Sequence, residues 1–193
     1  MHLKKIITGL SLIIALSACQ TQRNMEFSEW RAVDAENADL NIAEFSPVKI
    51  TSIALQDRDN RVRNSKYHFE GKNGILQAQR VMGAWFNVQT ENEIRSKDAI
   101  NKLAKNANLT LHIDESSVQK INHRSQKSIG YYAYGTVVGM QEECIVAYGG
   151  YRLRPTAYDN DMNYVDTVID FLYCAKNVRK KDFNKMFRNL NLN

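Results

Sequence analysis

Three cysteines and four histidines are the residues of this chain best suited to covalent or metal chemistry. Cys19 stands out by its surroundings. It closes Leu16-Ser17-Ala18-Cys19, small residues that end an apolar run from Ile6 to Ala15. The histidines offer less. His68, His112 and His123 fall on separate segments without metal-ligand spacing, and neither H-E-x-x-H nor G-x-S-x-G occurs. Asp114-Glu115 beside Ser116-Ser117 could join His112 in a catalytic constellation only if folding assembled it. Asp159-Asn160-Asp161-Met162-Asn163, with Asp170 twelfth, echoes a calcium loop, but Tyr164 takes the sixth position, where the sharp turn needs glycine. Asn163 as a helix N-cap, with Asp166 three residues on, accounts for the same residues. The sequence therefore assigns no catalytic residue, no metal and no cofactor.

Lys4-Lys5 ahead of the apolar run, with small residues after it, is the plan of an export signal. The run is too short to cross a bilayer as a helix, which takes roughly 20 residues. With Cys19 at its end, this segment resembles the lipobox signal of bacterial lipoprotein precursors. The resemblance implies removal of residues 1–18, a diacylglyceryl thioether on Cys19, and acylation of the new amine by a fatty acid such as palmitate. Several chains, at about 0.8 kcal/mol per buried methylene, hold a protein on a membrane far better than one. In proteobacterial lipoproteins an aspartate after the cysteine commonly retains the protein at the inner membrane. Gln20 therefore points to the outer membrane, with the domain on its periplasmic face. Export also bears on Cys144 and Cys174. An even pair left in an oxidising compartment is most simply a disulfide, with two buried free thiols as the alternative. Their separation of 30 positions would contribute roughly 3–4 kcal/mol by the chain-entropy argument.

Composition narrows the class further. The chain has 193 residues, with 26 Lys and Arg against 21 Asp and Glu, and the cleaved signal would carry off Lys4 and Lys5. The remaining 24 basic residues exceed the acidic ones only slightly, whereas nucleic acid calls for a concentrated basic face, and an exported protein rarely meets that partner. No nucleic-acid partner is expected. The organisation expected is a signal peptide over 1–18, a lipidated polar tether over 19–45, and one domain over 46–193, long enough for its own core.

The hydropathy pattern predicts an α+β domain: one mainly antiparallel sheet, a helical pair inserted between strands, and a helical C-terminus packed on one face. Strands are expected near 48–55, where the alternation slips at Thr51-Ser52 through a bulge or burial on both faces, and near 65–70, 109–113, 129–140 and 144–153. Gly71-Lys72-Asn73-Gly74 signals a turn. Ile75, Ala78, Met82, Trp85 and Phe86 fall at helical spacing, and Thr90 with Glu93 resembles a capping box for a second helix, with Ser96 as a rival start, ending near Asn106 or Asn108. The charged stretch 56–64 reads as a solvated loop, and the basic stretch 114–128 as a solvated connection or a loop touching anionic lipid or an acidic partner. Val165, Val168, Ile169 and Leu172 suggest a helix carrying Cys174, which a disulfide would pin to the hairpin carrying Cys144. Phe183, Met186, Phe187 and Leu190 form the apolar side of a last, basic amphipathic helix, suited to closing the core or to resting on an anionic membrane.

These readings predict a non-catalytic outer-membrane lipoprotein that assists an envelope structure such as a pilus or secretion apparatus. It would be held to the membrane by its lipid and by protein partners in the envelope. Two alternatives belong to other classes. A lipid- or envelope-ligand-binding lipoprotein calls for a deep apolar cavity beneath the sheet, and a periplasmic hydrolase calls for a cleft holding His112 near a serine and a carboxylate.

Overall fold

A computed structural model describes residues 26–59, 61–71, 73–82, 86–87, 102–105, 107–154 and 164–193. The architecture is α+β. Eight strands form one sheet: β1 (Arg31–Val33), β3 (Ile50–Arg58), β4 (Val62–Phe69), β5 (Asn73–Val81), β7 (Leu111–Lys120), β8 (Ser128–Val137), β9 (Glu143–Tyr151) and β11 (Thr167–Ala175). Their order is β1-β3-β4-β5-β11-β9-β8-β7, and every pairing is antiparallel. Two short ladders lie outside it: β2 (Leu40–Asn41) with β12 (Asn191–Leu192), and β6 (Phe86–Asn87) with β10 (Tyr164–Val165). One helix, α1 (Lys180–Arg188), packs on the sheet near the C-terminus.

Side chains alternate across a strand, so register decides which of them meet. Ile53, Tyr67, Leu76, Phe171, Ala147 and Tyr132 are successive cross-strand partners, and together they floor the main core. Phe183, Met186 and Phe187 of α1 close over that floor, each essentially inaccessible to solvent. Burying side chains of this size is worth about 1.5–3 kcal/mol apiece before entropy is counted. Phe187 meets Phe171 edge-on at 5.3 Å, and Phe183 lies 5.1 Å from Tyr173. In the neighbouring row Gly130 faces Gly149, and a Cβ on Gly130 would fall 2.5 Å from the Gly149 Cα. The side chain of Ile121 fills the space the two glycines leave. The opposite face carries a smaller apolar cluster of Ala133, Val137, Val146 and Leu172, against which Leu109, Leu111 and Ile113 pack.

Of the two readings at Thr51-Ser52 the bulge is present, as a register shift between Ile50 and Ser52, and the 128–151 hairpin and the C-terminal helix also form. Other expectations are overturned. Residues from Ile75 on, read as the start of a helix, and Asn73-Gly74, read as part of the turn before it, belong to strand β5, in which Gly74, Leu76, Ala78 and Arg80 turn inward. The second inserted helix falls mostly outside the described residues, although 102–105 are helical. The predicted helix through 165–172 is strand β11, flanked by β5 and β9 and covered on both faces. Buried on both sides, it carries the near-continuous apolar run that a helical stripe also shows.

The loops also change. The 56–64 stretch continues β3 to Arg58 and resumes as β4 at Val62, with Asp57 and Arg63 paired across the two strands. The 114–128 stretch is β7 as far as Lys120, and within it β7 runs out of step with β8: the four residues between Asp114 and Gln119 lie opposite the single residue between Tyr134 and Tyr132. The expected tether over 19–45 is built into the fold from Arg31 onward. Val33 pairs with Ile53, and Ala38, Leu40 and Ile42 are buried in the main core. Tyr67 secures this segment: its hydroxyl accepts from the Leu40 N–H at 2.8 Å and donates to the Leu40 carbonyl at 3.3 Å. Burial pushes the Tyr67 phenol up to about 12.

Candidate functional site

The two cysteines assigned to a disulfide are bonded. Cys144 on β9 and Cys174 on β11 are directly opposite in register, with Cα atoms 4.1 Å apart. Both are buried, on the face turned away from α1. The bridge therefore staples two interior strands together rather than a helix to a hairpin, because the segment carrying Cys174 is β11. Cys19, the proposed lipidation site, lies outside the described residues.

His112, Asp114, Ser116 and Ser117 share β7 but do not assemble a relay. His112 is exposed, and among the described residues no hydrogen bond links it to a serine or a carboxylate. The Asp114 carboxylate instead accepts from its own neighbour Ser116, through N–H at 3.0 Å and Oγ at 2.6 Å. Those bonds hold Asp114 below the usual carboxylate range. Ser117 Oγ donates to the Asp114 carbonyl and accepts from the Tyr134 N–H. Both serines therefore shape the bulge. Of the calcium echo, 159–163 lie outside the described residues, and Asp170, its twelfth position, sits within β11. Among the described residues no group of three or more His, Cys, Asp or Glu is placed to hold a metal, and no helix is long and apolar enough to cross a membrane.

His123 has a structural task. Its Nδ1 accepts from the N–H groups of Ser125 and Gln126, at 3.2 and 2.8 Å. Its Nε2 is thereby the protonated nitrogen, donating to the Leu190 carbonyl at 2.7 Å. Arg124 N–H also donates to the Arg188 carbonyl, so this turn clamps the end of α1. Burial lowers the His123 pKa despite the Leu190 bond, and a second ring proton would face two N–H donors. A depressed histidine pKa means the unfolded chain binds the proton first. The clamp's contribution is complete above the unfolded value near 6.5 and is lost as pH falls below it towards the folded value. Urea midpoints at pH 7.5 and 5.5 test this: the fall on acidification is expected to be smaller in His123→Gln than in the parent. An equal fall would remove His123 as the cause.

One constellation escaped the sequence reading. Arg31, Asp57, Arg63, Asp39 and Arg80 form a continuous ionic chain at one end of the main core. Arg31 reaches Asp57 at 2.8 Å, Arg63 Nε meets Asp57 at 2.6 Å, and an Arg63 terminal nitrogen lies 3.5 Å from Asp39. Arg80 then grips Asp39 with both Nε, at 2.9 Å, and a terminal nitrogen. Burial works against the Asp57 carboxylate, but Arg63 and Arg31 hold it below the ordinary range. Towards the other end of β3, a groove of about 510 Å³ opens between Val33–Ala35 and Lys49–Ile53, where β1 leaves the edge of β3. Its wall includes the exposed Lys49, Thr51 and Ser52, so it is an open polar trough at the sheet edge. Comparison with protein-family models, with curated proteins and with solved structures finds no match.

Proposed function

We propose that this chain is a lipid-anchored, non-catalytic lipoprotein on the periplasmic face of the outer membrane, serving as an accessory or assembly subunit of an envelope structure such as a pilus or secretion apparatus. The observation that carries this reading is Leu16-Ser17-Ala18-Cys19 behind a basic start and an apolar run, with Gln20 next. The Cys144–Cys174 bridge supports it, since disulfides persist in oxidising compartments. A sheet whose main face is filled by aromatic side chains and sealed by α1 supports a binding scaffold over a ligand-storing shell.

Cys19→Ser is expected to abolish fatty-acid labelling and to leave the leader attached. Labelling as strong as the parent's would exclude Cys19 as the acceptor. Affinity purification from detergent-solubilised membranes after gentle crosslinking is expected to bring envelope proteins with the chain. Recovery of the chain alone would dismiss the subunit role while leaving the anchor standing.

A further inference from the structure

The apolar side of α1 is spent on the core, and what remains outward is basic. At 3.6 residues per turn, Lys181, Lys185 and Arg188 fall within a stripe about 60° wide, opposite the centre of Phe183, Met186 and Phe187. All three are exposed. Arg124, also exposed, joins them through its main-chain bond to Arg188. The nearby carboxylate does not neutralise this stripe, because Asp182 pairs with Arg179 at 3.4 Å. Lys180 is drawn aside over the Tyr134 ring, 4.6 Å from its centre. Among the described residues no carboxylate pairs with Lys181, Lys185, Arg188 or Arg124.

Internal structure does not account for the stripe. Like charges at i,i+4 and i,i+3 repel along a helix, which destabilises it. The negative end of the helix dipole offsets this for Lys185 and Arg188 in the last turn, but not for Lys181. An extended outward cationic stripe complements an array of negative headgroups rather than a single small anion.

We propose that the outward face of α1, with the Arg124 turn docked on its end, rests on the anionic phospholipid headgroups of the leaflet that holds the Cys19 lipid. This rests on the lipoprotein reading above. Each basic side chain near such a surface strengthens binding by about fivefold. The anchor makes the encounter intramolecular, so four weak contacts suffice to orient the domain.

The test uses the purified full-length processed chain with vesicles of pure phosphatidylcholine or of phosphatidylcholine and phosphatidylglycerol in equal amounts. A membrane-impermeant amine reagent then labels the exposed lysines, read by mass spectrometry. Labelling of Lys181 and Lys185 is expected to slow about fivefold on the anionic vesicles relative to the neutral ones, and to recover in high salt. Lys49, in the groove wall, is expected to label equally on both. An acylated chain that floats with both vesicles yet labels identically on them overturns the lipid surface and turns the stripe towards an acidic protein. A chain without acyl groups that floats with neither vesicle overturns the anchor and the surface together. If it floats with the anionic vesicles alone, the surface stands and the anchor falls.

Discussion

Asp39→Ala is expected to cost about 3–5 kcal/mol, because it strands a buried guanidinium rather than merely deleting a contact. The Asp39 side chain is 2% exposed and that of Arg80 is 7%, so neither can turn to water without opening the core. Arg63, itself only partly exposed, is the nearest other cation and would add repulsion once the carboxylate is gone. A domain of this size has a total stability of about 5–15 kcal/mol, so the single variant sits near the edge of folding. The pair as a whole is a different matter. Replacing buried ion pairs by apolar residues of similar volume is often neutral or better, so Asp39→Leu combined with Arg80→Met is expected to recover most of the loss. Urea unfolding of the parent, the single variant and the double variant checks both statements. A single variant within about 1 kcal/mol of the parent would show that the charges are solvated in solution. A double variant as unstable as the single would show that the ionic geometry, and not charge burial, holds the N-terminal segment in place.

That ionic chain also shows where sequence reading stopped. Asp39 stood in a stretch whose acidic residues suggested a tether, and its partner Arg80 lies 41 positions away. Nothing local marks such a pair. Alternation of Ala38, Leu40 and Ile42 was the available signal for burial, and it is only three residues long. In β5 the inward position Arg80 breaks the apolar alternation, while Ile75 on the other face packs on the second cluster. Ile75 and Ala78 therefore resemble a helical stripe although they belong to opposite faces of a strand. In β11 the β-branched run Thr167-Val168-Ile169 was the better guide, since such residues favour a pleated surface. By contrast α1 is readable because it exposes one face, so the period survives in the sequence; the 128–151 hairpin, buried on both faces over much of its length, is readable from its aromatic and β-branched residues and the polar turn between its strands. The cysteine pair was readable as chemistry but not as geometry: its partners were named, while the element under Cys174 was mistaken.

The Cys144→Ala/Cys174→Ala variant is expected to lose roughly 3–4 kcal/mol, the chain-entropy value for a crosslink spanning 30 positions. For a domain of this length that corresponds to a melting temperature lower by on the order of 10 °C. The register already holds the two Cα atoms close in the native sheet, so most of the effect lies in the unfolded chain. Two consequences separate this from simple loss of core volume. The denaturant dependence of unfolding should steepen in the variant, because an uncrosslinked chain exposes more surface when unfolded. Each single substitution should cost about as much as the double, since either one removes the same bond and the pair is fully coupled. Reductant supplies an independent arm: it should bring the parent down to the variant's stability and leave the variant where it is. Cys144 is 0% exposed and Cys174 5%, so native reduction should be slow and track the opening of the sheet. Equal stability of parent and variant, with no response to reductant, would mean that pairing of β9 with β11 needs no covalent help, and that the bridge reports only the compartment in which the chain folds.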